Sequence, residues 1–175
     1  RNVPTLIPQS AFNNEKVVAL SLGEYHSGCI TETGKVYMWG WNNYGQLGDG
    51  TTTNRSVPTL IPQSRFNNEK VVGLSVAGGR NGGITATGKV YMWGTIPTLI
   101  PQSAFNNEKV ISLSLGGGHN GGITATGKLY MWGSNNRGQL GTGDTISYDM
   151  PRLVINDTYP NTHVQVVTSL KEIAK

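Results

Sequence analysis

The chain has 175 residues, 37% hydrophobic and only 14% charged, with 24 Gly, 8 Pro and a formal net charge of +4. This composition suits one globular domain of short strands and tight turns rather than a disordered or fibrous chain. A single cysteine, Cys29, excludes an intramolecular disulfide, no apolar run approaches the ~18 residues of a membrane helix, and the singly scattered basic residues read as a solvated surface with no clear nucleic-acid site.

In chain order the first segment is VPTLIPQSAFNNEKVVALSL from Val3, which returns as VPTLIPQSRFNNEKVVGLSV from Val57 and IPTLIPQSAFNNEKVISLSL from Ile96. A weaker fourth copy, MPRLVINDTYPNTHVQVVTSL, starts at Met150, so the starts lie 54, 39 and 54 residues apart. Periods of this size with β-type composition predict an all-β propeller rather than a helical solenoid.

Each unit reads as four strands, A to D from a central axis outward. VVALSL (17–22) alternates apolar and small residues and has sisters at 71–76 and 110–115; SGCIT (27–31) follows, then the turn ETGK and KVYMWG (35–40). VPTLIP (57–62) is the outer strand, where prolines suit one free edge. The whole chain, 1–175, is thus one repeat region. Its predicted blades lie at 17–62, 71–101 and 110–155, with an orphan outer strand at 3–8 and an orphan inner strand at 164–169. Three blades cannot close a ring, and open ends expose apolar faces and unpaired edges. The expectation is a segment of a larger propeller, or a part closed by further blades or other chains. Arg1 falls inside a repeat, which points to a chain that continues before it.

The short middle period comes from one place. Trp41 to Ser56 is a C–D loop rich in Asn, Gly and Thr, and in the second unit it shrinks to Gly94-Thr95. Surface loops tolerate such change, and a Gly-X pair can form a two-residue type II′ hairpin, leaving the second blade complete but bare at one corner. A second reading is that the block belongs to the protein and is missing from this chain.

The pattern V-x-x-L-S-x-G-x-x-H, then I-T-x-T-G-K-V-Y-M-W-G, then N-N-x-G-Q-L-G-x-G, then P-x-L-I resembles the repeat of the regulator of chromosome condensation family. The resemblance covers nearly the whole chain. It implies a β-propeller, seven-bladed in the family's best-known members, that works as a binding scaffold. Some members are guanine-nucleotide exchange factors for a Ran-type GTPase, and others inhibit enzymes or act in ubiquitin ligases. This chain departs from the pattern at Arg80, where other copies have His26 and His119, and at Ala77, which replaces the glycine of Gly23 and Gly116.

No residue set points to catalysis, a cofactor or a metal. His26 and His119 recur once per blade without a ligand partner at metal spacing, so both read as structural. GGGHNGG (116–122) lacks the GK[ST] and helix of a phosphate loop. Asp49 and Asp144 are single carboxylates in Gly/Thr loops, a poor calcium set. The aromatic residues Tyr37 and Trp39, with their copies Tyr91, Trp93, Tyr130 and Trp132, read as interblade packing. Phe12, Phe66 and Phe105 are expected to plug the interblade crossing, and Gln46 and Gln139 to anchor the long loops on backbone.

The A–B connections differ between copies while the framework repeats: EYHS (24–27), GGRN (78–81) and GGHN (117–120). The expected partner-binding set is therefore Glu24, Tyr25, His26, Arg80, Asn81, His119 and Asn120, facing a protein partner. The leading function is a non-enzymatic protein–protein interaction scaffold, with a Ran-type exchange factor and an enzyme on a propeller scaffold as alternatives. The Asn-, Thr- and Gly-rich repeats lean toward a bacterial surface or secreted protein.

Overall fold

A computed structural model describes residues 3–154. Twelve strands form three four-stranded antiparallel sheets, each in sequence order. The first holds β1 (Val17–Leu22), β2 (His26–Thr31), β3 (Val36–Gly40) and β4 (Arg55–Leu60). The second holds β5 (Val71–Val76), β6 (Asn81–Thr85), β7 (Val90–Trp93) and β8 (Thr98–Ile100). The third holds β9 (Val110–Leu115), β10 (His119–Thr124), β11 (Leu129–Gly133) and β12 (Tyr148–Leu153). These are the expected blades of a β-propeller.

Each blade is entered through the same device. A 3-10 turn, Gln63–Phe66 before the second blade, ends on Asn67 and Asn68 in the left-handed region at φ 54° and 58°. Asparagine tolerates that conformation because its short side chain bonds locally. The turn drives Phe66 into the crevice between blades 1 and 2, where its ring meets Tyr91 and Trp93 edge-on at 5.5 and 5.8 Å. Ile30, Val36 and Met38 of the first blade close the other side of that core. Phe105 repeats the arrangement against Tyr130 and Trp132, with Ile84 and Val90 of blade 2. The aromatic residues of strand C thus fill the space between blades.

Polar groups fix the blades to one another. Ser21 Oγ accepts from Val76 N at 2.9 Å, and Ser75 Oγ accepts from Leu115 N at 3.0 Å. At the other end, Gly34 O and Gly88 O accept from Val71 N and Val110 N, each at 3.1 Å. Glu69, just past the entry turn, accepts from Thr87 and Lys89 of its blade's B–C hairpin; Glu15 and Glu108 do the same in blades 1 and 3.

Two expectations about the chain's course are corrected. Residues 3–8 form no strand, because among the described residues no C strand lies beside them to pair with. They run past the open face of blade 1 instead, lining an apolar groove with Phe12, Leu20, Leu22 and Trp39. The Gly94-Thr95 link is not a two-residue hairpin. The last ladder pair is Met92↔Thr98, so five residues make the connection, and Gly94 does not take a positive φ. Blade 2 keeps the register of blade 1, where Met38↔Thr59 is the matching pair, so the shortened link must span five residues. The expected inner strand at 164–169 lies outside the described residues.

Candidate functional site

In an A-to-D meander the A–B turns and C–D loops share one end of every blade. Backbone bonds join them there: Trp41 N donates to Tyr25 O at 2.9 Å, and Ser134 N to Gly118 O at 2.8 Å. This close approach needs glycine at position 40, where φ is 106° and a Cβ would stand 2.5 Å from Tyr25 O.

The long loop is organised by an asparagine that the sequence reading passed over. Asn42 is fully buried; its Nδ2 donates to Thr51 O and Thr53 O, each at 3.0 Å, and its Oδ1 accepts from Leu47 N at 2.8 Å. Asn135 does the same work in blade 3, accepting from Leu140 N at 2.9 Å. Gln46 and Gln139 add the backbone anchors expected of them, accepting from Tyr44 N at 3.0 Å and Arg137 N at 2.9 Å. Leu47 is thereby pinned, fully buried, in the core between blades 1 and 2. The shared Asn of WNNYGQLG and SNNRGQLG was the available signal.

The expected partner-binding residues divide by burial. Glu24, Tyr25 and Arg80 are exposed, whereas His26, Asn81 and Asn120 are buried and His119 is half-buried. His26 Nε2 lies 2.8 Å from Asn81 Oδ1 across the blade 1–blade 2 boundary, and Asn81 Nδ2 donates to Gln46 O at 2.5 Å. With Nδ2 donating, Oδ1 is the acceptor, which places the imidazole proton on Nε2. Asn120 satisfies itself within blade 3, its Oδ1 accepting from Trp132 Nε1 at 3.2 Å. Three of the seven residues therefore join framework elements, because each A–B turn returns its last residues into an interblade crevice.

What stands on the rim instead is aromatic. Tyr25, Trp41 and Tyr44 form an edge-to-face chain with ring centroids 5.9 and 5.2 Å apart. Tyr25 is 62% exposed and Tyr44 69% exposed. The Glu24 carboxylate raises the pKa of the Tyr25 phenol by hydrogen bonding and by its charge. The counterparts in blade 3 are Gly118, Ser134 and Arg137, so this cluster breaks the repeat.

Other chemistry is accounted for by structure. Asp49 bonds Thr51 and Arg55, and Asp144 bonds Thr142 and Tyr148, so both carboxylates are committed to their own loops. Among the described residues no three metal-ligating side chains come together. Burial pushes the Cys29 thiol up to about 11, which keeps it protonated and unreactive. Among the described residues, no helix is long and apolar enough to cross a membrane.

Comparison with known proteins agrees with this architecture. The regulator of chromosome condensation (RCC1) repeat model matches residues 33–83 and 126–169, and a second model of the same repeat matches 17–46 and 110–139. The mitochondrial RCC1 domain-containing protein RUG3 of Arabidopsis thaliana is 34% identical over 88 residues, which is 50% of this chain and 19% of that protein. Human WBSCR16 superposes with a TM-score of 0.75 at 23% identity, covering 82% of this chain and 40% of that one. Prp20p of Saccharomyces cerevisiae gives 0.67 at 24% identity, covering 79% and 38%. The chain thus spans well under half the length of each.

Proposed function

This chain belongs to the RCC1 repeat family, and on that premise we propose that it is a rigid, non-enzymatic scaffold holding a protein partner on its A–B/C–D rim. The observation that carries the reading is the Tyr25–Trp41–Tyr44 cluster, with both tyrosines exposed and Trp41 half-buried between them, present in one blade and absent from its near-duplicates. Tyrosine and tryptophan supply large contact area with few rotors to order, and they concentrate at interface hot spots. The buried Asn42 network holds the loop before any partner arrives, so little ordering entropy opposes binding. Glu24, next to Tyr25, and Arg80, on the A–B turn of the second blade, are exposed charges at the same rim that orient the approach.

Further blades, in this chain or another, are the second partner class. Leu20 and Leu22 are each 62% exposed on the outer side of β1, whereas their counterparts Leu74 and Val76 pack against blade 1. The groove along Gly116, Gly121 and Met131 on blade 3 is the matching receptor.

The test is to place a photo-crosslinking residue at position 44, identify the attached protein, and measure its affinity for purified variants. Tyr25→Ala with Tyr44→Ala should weaken binding about 100-fold, and Arg137→Ala, at the matching place in blade 3, should leave it unchanged. Equal affinity for all three proteins would overturn the reading. Exchange on a Ran-type GTPase is the competing function, supported by Prp20p, a structure described together with its binding to Gsp1p and histones. Faster nucleotide release from such a GTPase in the presence of this chain would favour it.

A further inference from the structure

We propose that the cleft between blades 2 and 3 is a docking site for a leucine-bearing loop of a partner protein, which enters where the chain's own C–D loop is missing. The proposal rests on the reading of the molecule as an interaction scaffold, and adds a second contact with its own chemistry.

The internal repeat supplies the template. Between blades 1 and 2, the C–D loop inserts Leu47 into a site closed by Met38, Ile61 and Trp93, all buried. Gly48 lies flat on Trp93, so close that a Cβ would stand 2.9 Å from its indole nitrogen. The counterparts around the next crevice are Met92, Ile100 and Trp132, and there they border an open cleft of about 380 Å³. Met92 and Ile100 are only half-buried, because nothing takes the place of Leu47.

The polar groups needed to read a loop backbone are also present. In the filled crevice Asn81 Nδ2 donates to Gln46 O, the carbonyl just before the leucine. Asn120 occupies the same position in the open cleft, and its Nδ2 makes only a 3.3 Å contact with His119 O. That amide can turn its free hydrogen to an incoming carbonyl while Oδ1 keeps Trp132. At the mouth, the buried His26 is replaced by the exposed Arg80, which forms no salt bridge among the described residues. The wall is therefore mainly aliphatic and aromatic, with Asn120 as its buried donor and the exposed Arg80 and Asp149 as its charged lining residues. That combination suits a branched apolar side chain carried on a tight turn. The filled crevice shows one such turn in place, Tyr44-Gly45-Gln46-Leu47-Gly48.

The probe is a cyclised, fluorescently labelled peptide of residues 41–54 of this chain, titrated against the whole chain by fluorescence polarisation. Saturable binding is expected, and Leu47→Ala in the peptide should weaken it about tenfold or more. A second protein, in which Thr95 is replaced by a copy of residues 41–56, should fill its own cleft, melt at a higher temperature and lose the peptide. Absence of binding, equal binding of the alanine peptide, or undiminished binding to the loop-restored protein would each overturn the proposal. The rim cluster is tested separately. Tyr25→Ala with Tyr44→Ala should weaken partner binding about 100-fold yet leave the peptide affinity intact, so failure of either site is told from failure of the other.

Discussion

His26 Nε2 and Asn81 Oδ1 meet at 2.8 Å with both side chains buried, binding the first blade to the second. Removing one partner strands the other in a buried site. His26→Ala and Asn81→Ala are each expected to lower unfolding stability by about 1–3 kcal/mol. The double variant should cost less than the two together, because the second substitution removes a group already unpaired. Urea denaturation of the four proteins measures the coupling, and strict additivity would show that the contact contributes nothing.

Leu47 is the only apolar side chain that its long loop commits to the core, among the described residues. Leu47→Ala should cost about 2–5 kcal/mol, the usual result of opening a cavity among side chains that cannot collapse. It should also expose Trp93, shifting tryptophan emission to longer wavelength. The blade 2–blade 3 crevice already lacks such a plug, so no equivalent loss is available there. A Leu47→Ala protein with unchanged stability and emission would mean that the loop does not seal the crevice.

The blades were legible because strand periodicity, the TGK hairpins and three near-identical copies all agree on one answer. Residues 3–8 read equally well as strand, yet strand formation needs a neighbour, and the same letters pair only where a C strand lies beside them. His26 and Asn81 looked like variable turn residues because their burial depends on how closely the next blade approaches, which one copy read alone does not reveal. The aromatic rim was visible in principle. Setting WNNYGQLG against SNNRGQLG shows Trp41 and Tyr44 as departures, but the Asn-, Gly- and Thr-rich loop around them reads as variable surface. Gly94-Thr95 suggests a tight turn, but the register shared by the blades, Met92↔Thr98 matching Met38↔Thr59, leaves five residues between the paired positions.

Gly82 and Gly121 occupy the same register position in neighbouring blades but face different surroundings. A Cβ on Gly82 would stand 2.5 Å from Leu113 Cδ2 and 2.9 Å from both Leu115 Cδ1 and Met92 Sδ. On Gly121 the closest neighbour would be the flexible Met131 Sδ at 2.7 Å, and no leucine lies within reach. Gly82→Ala should therefore cost about 1–3 kcal/mol by wedging blades 2 and 3 apart, and Gly121→Ala about 1 kcal/mol or less. Equal costs in guanidinium denaturation would show that another blade covers the Gly121 face in solution.

Acid should loosen all three blade entries together. Glu15, Glu69 and Glu108 are each held down to about 2, foremost by the hydrogen bond from Lys35, Lys89 or Lys128, and then by their threonine partners. A carboxylate depressed in the folded chain stabilises it fully above the ordinary value of 4.5 and progressively less as pH falls toward about 2. The melting temperature is expected to hold steady near neutrality and to decline through that window. Replacing all three with glutamine should lower the melting temperature at pH 7 and flatten the acid limb, since the amide has no proton to gain. Thermal melts followed by circular dichroism from pH 7 to 2 check both effects. An acid limb equally steep in the glutamine variant would assign the loss to other carboxylates, with Asp49 and Asp144, both lowered by bonds within their loops, the next to replace.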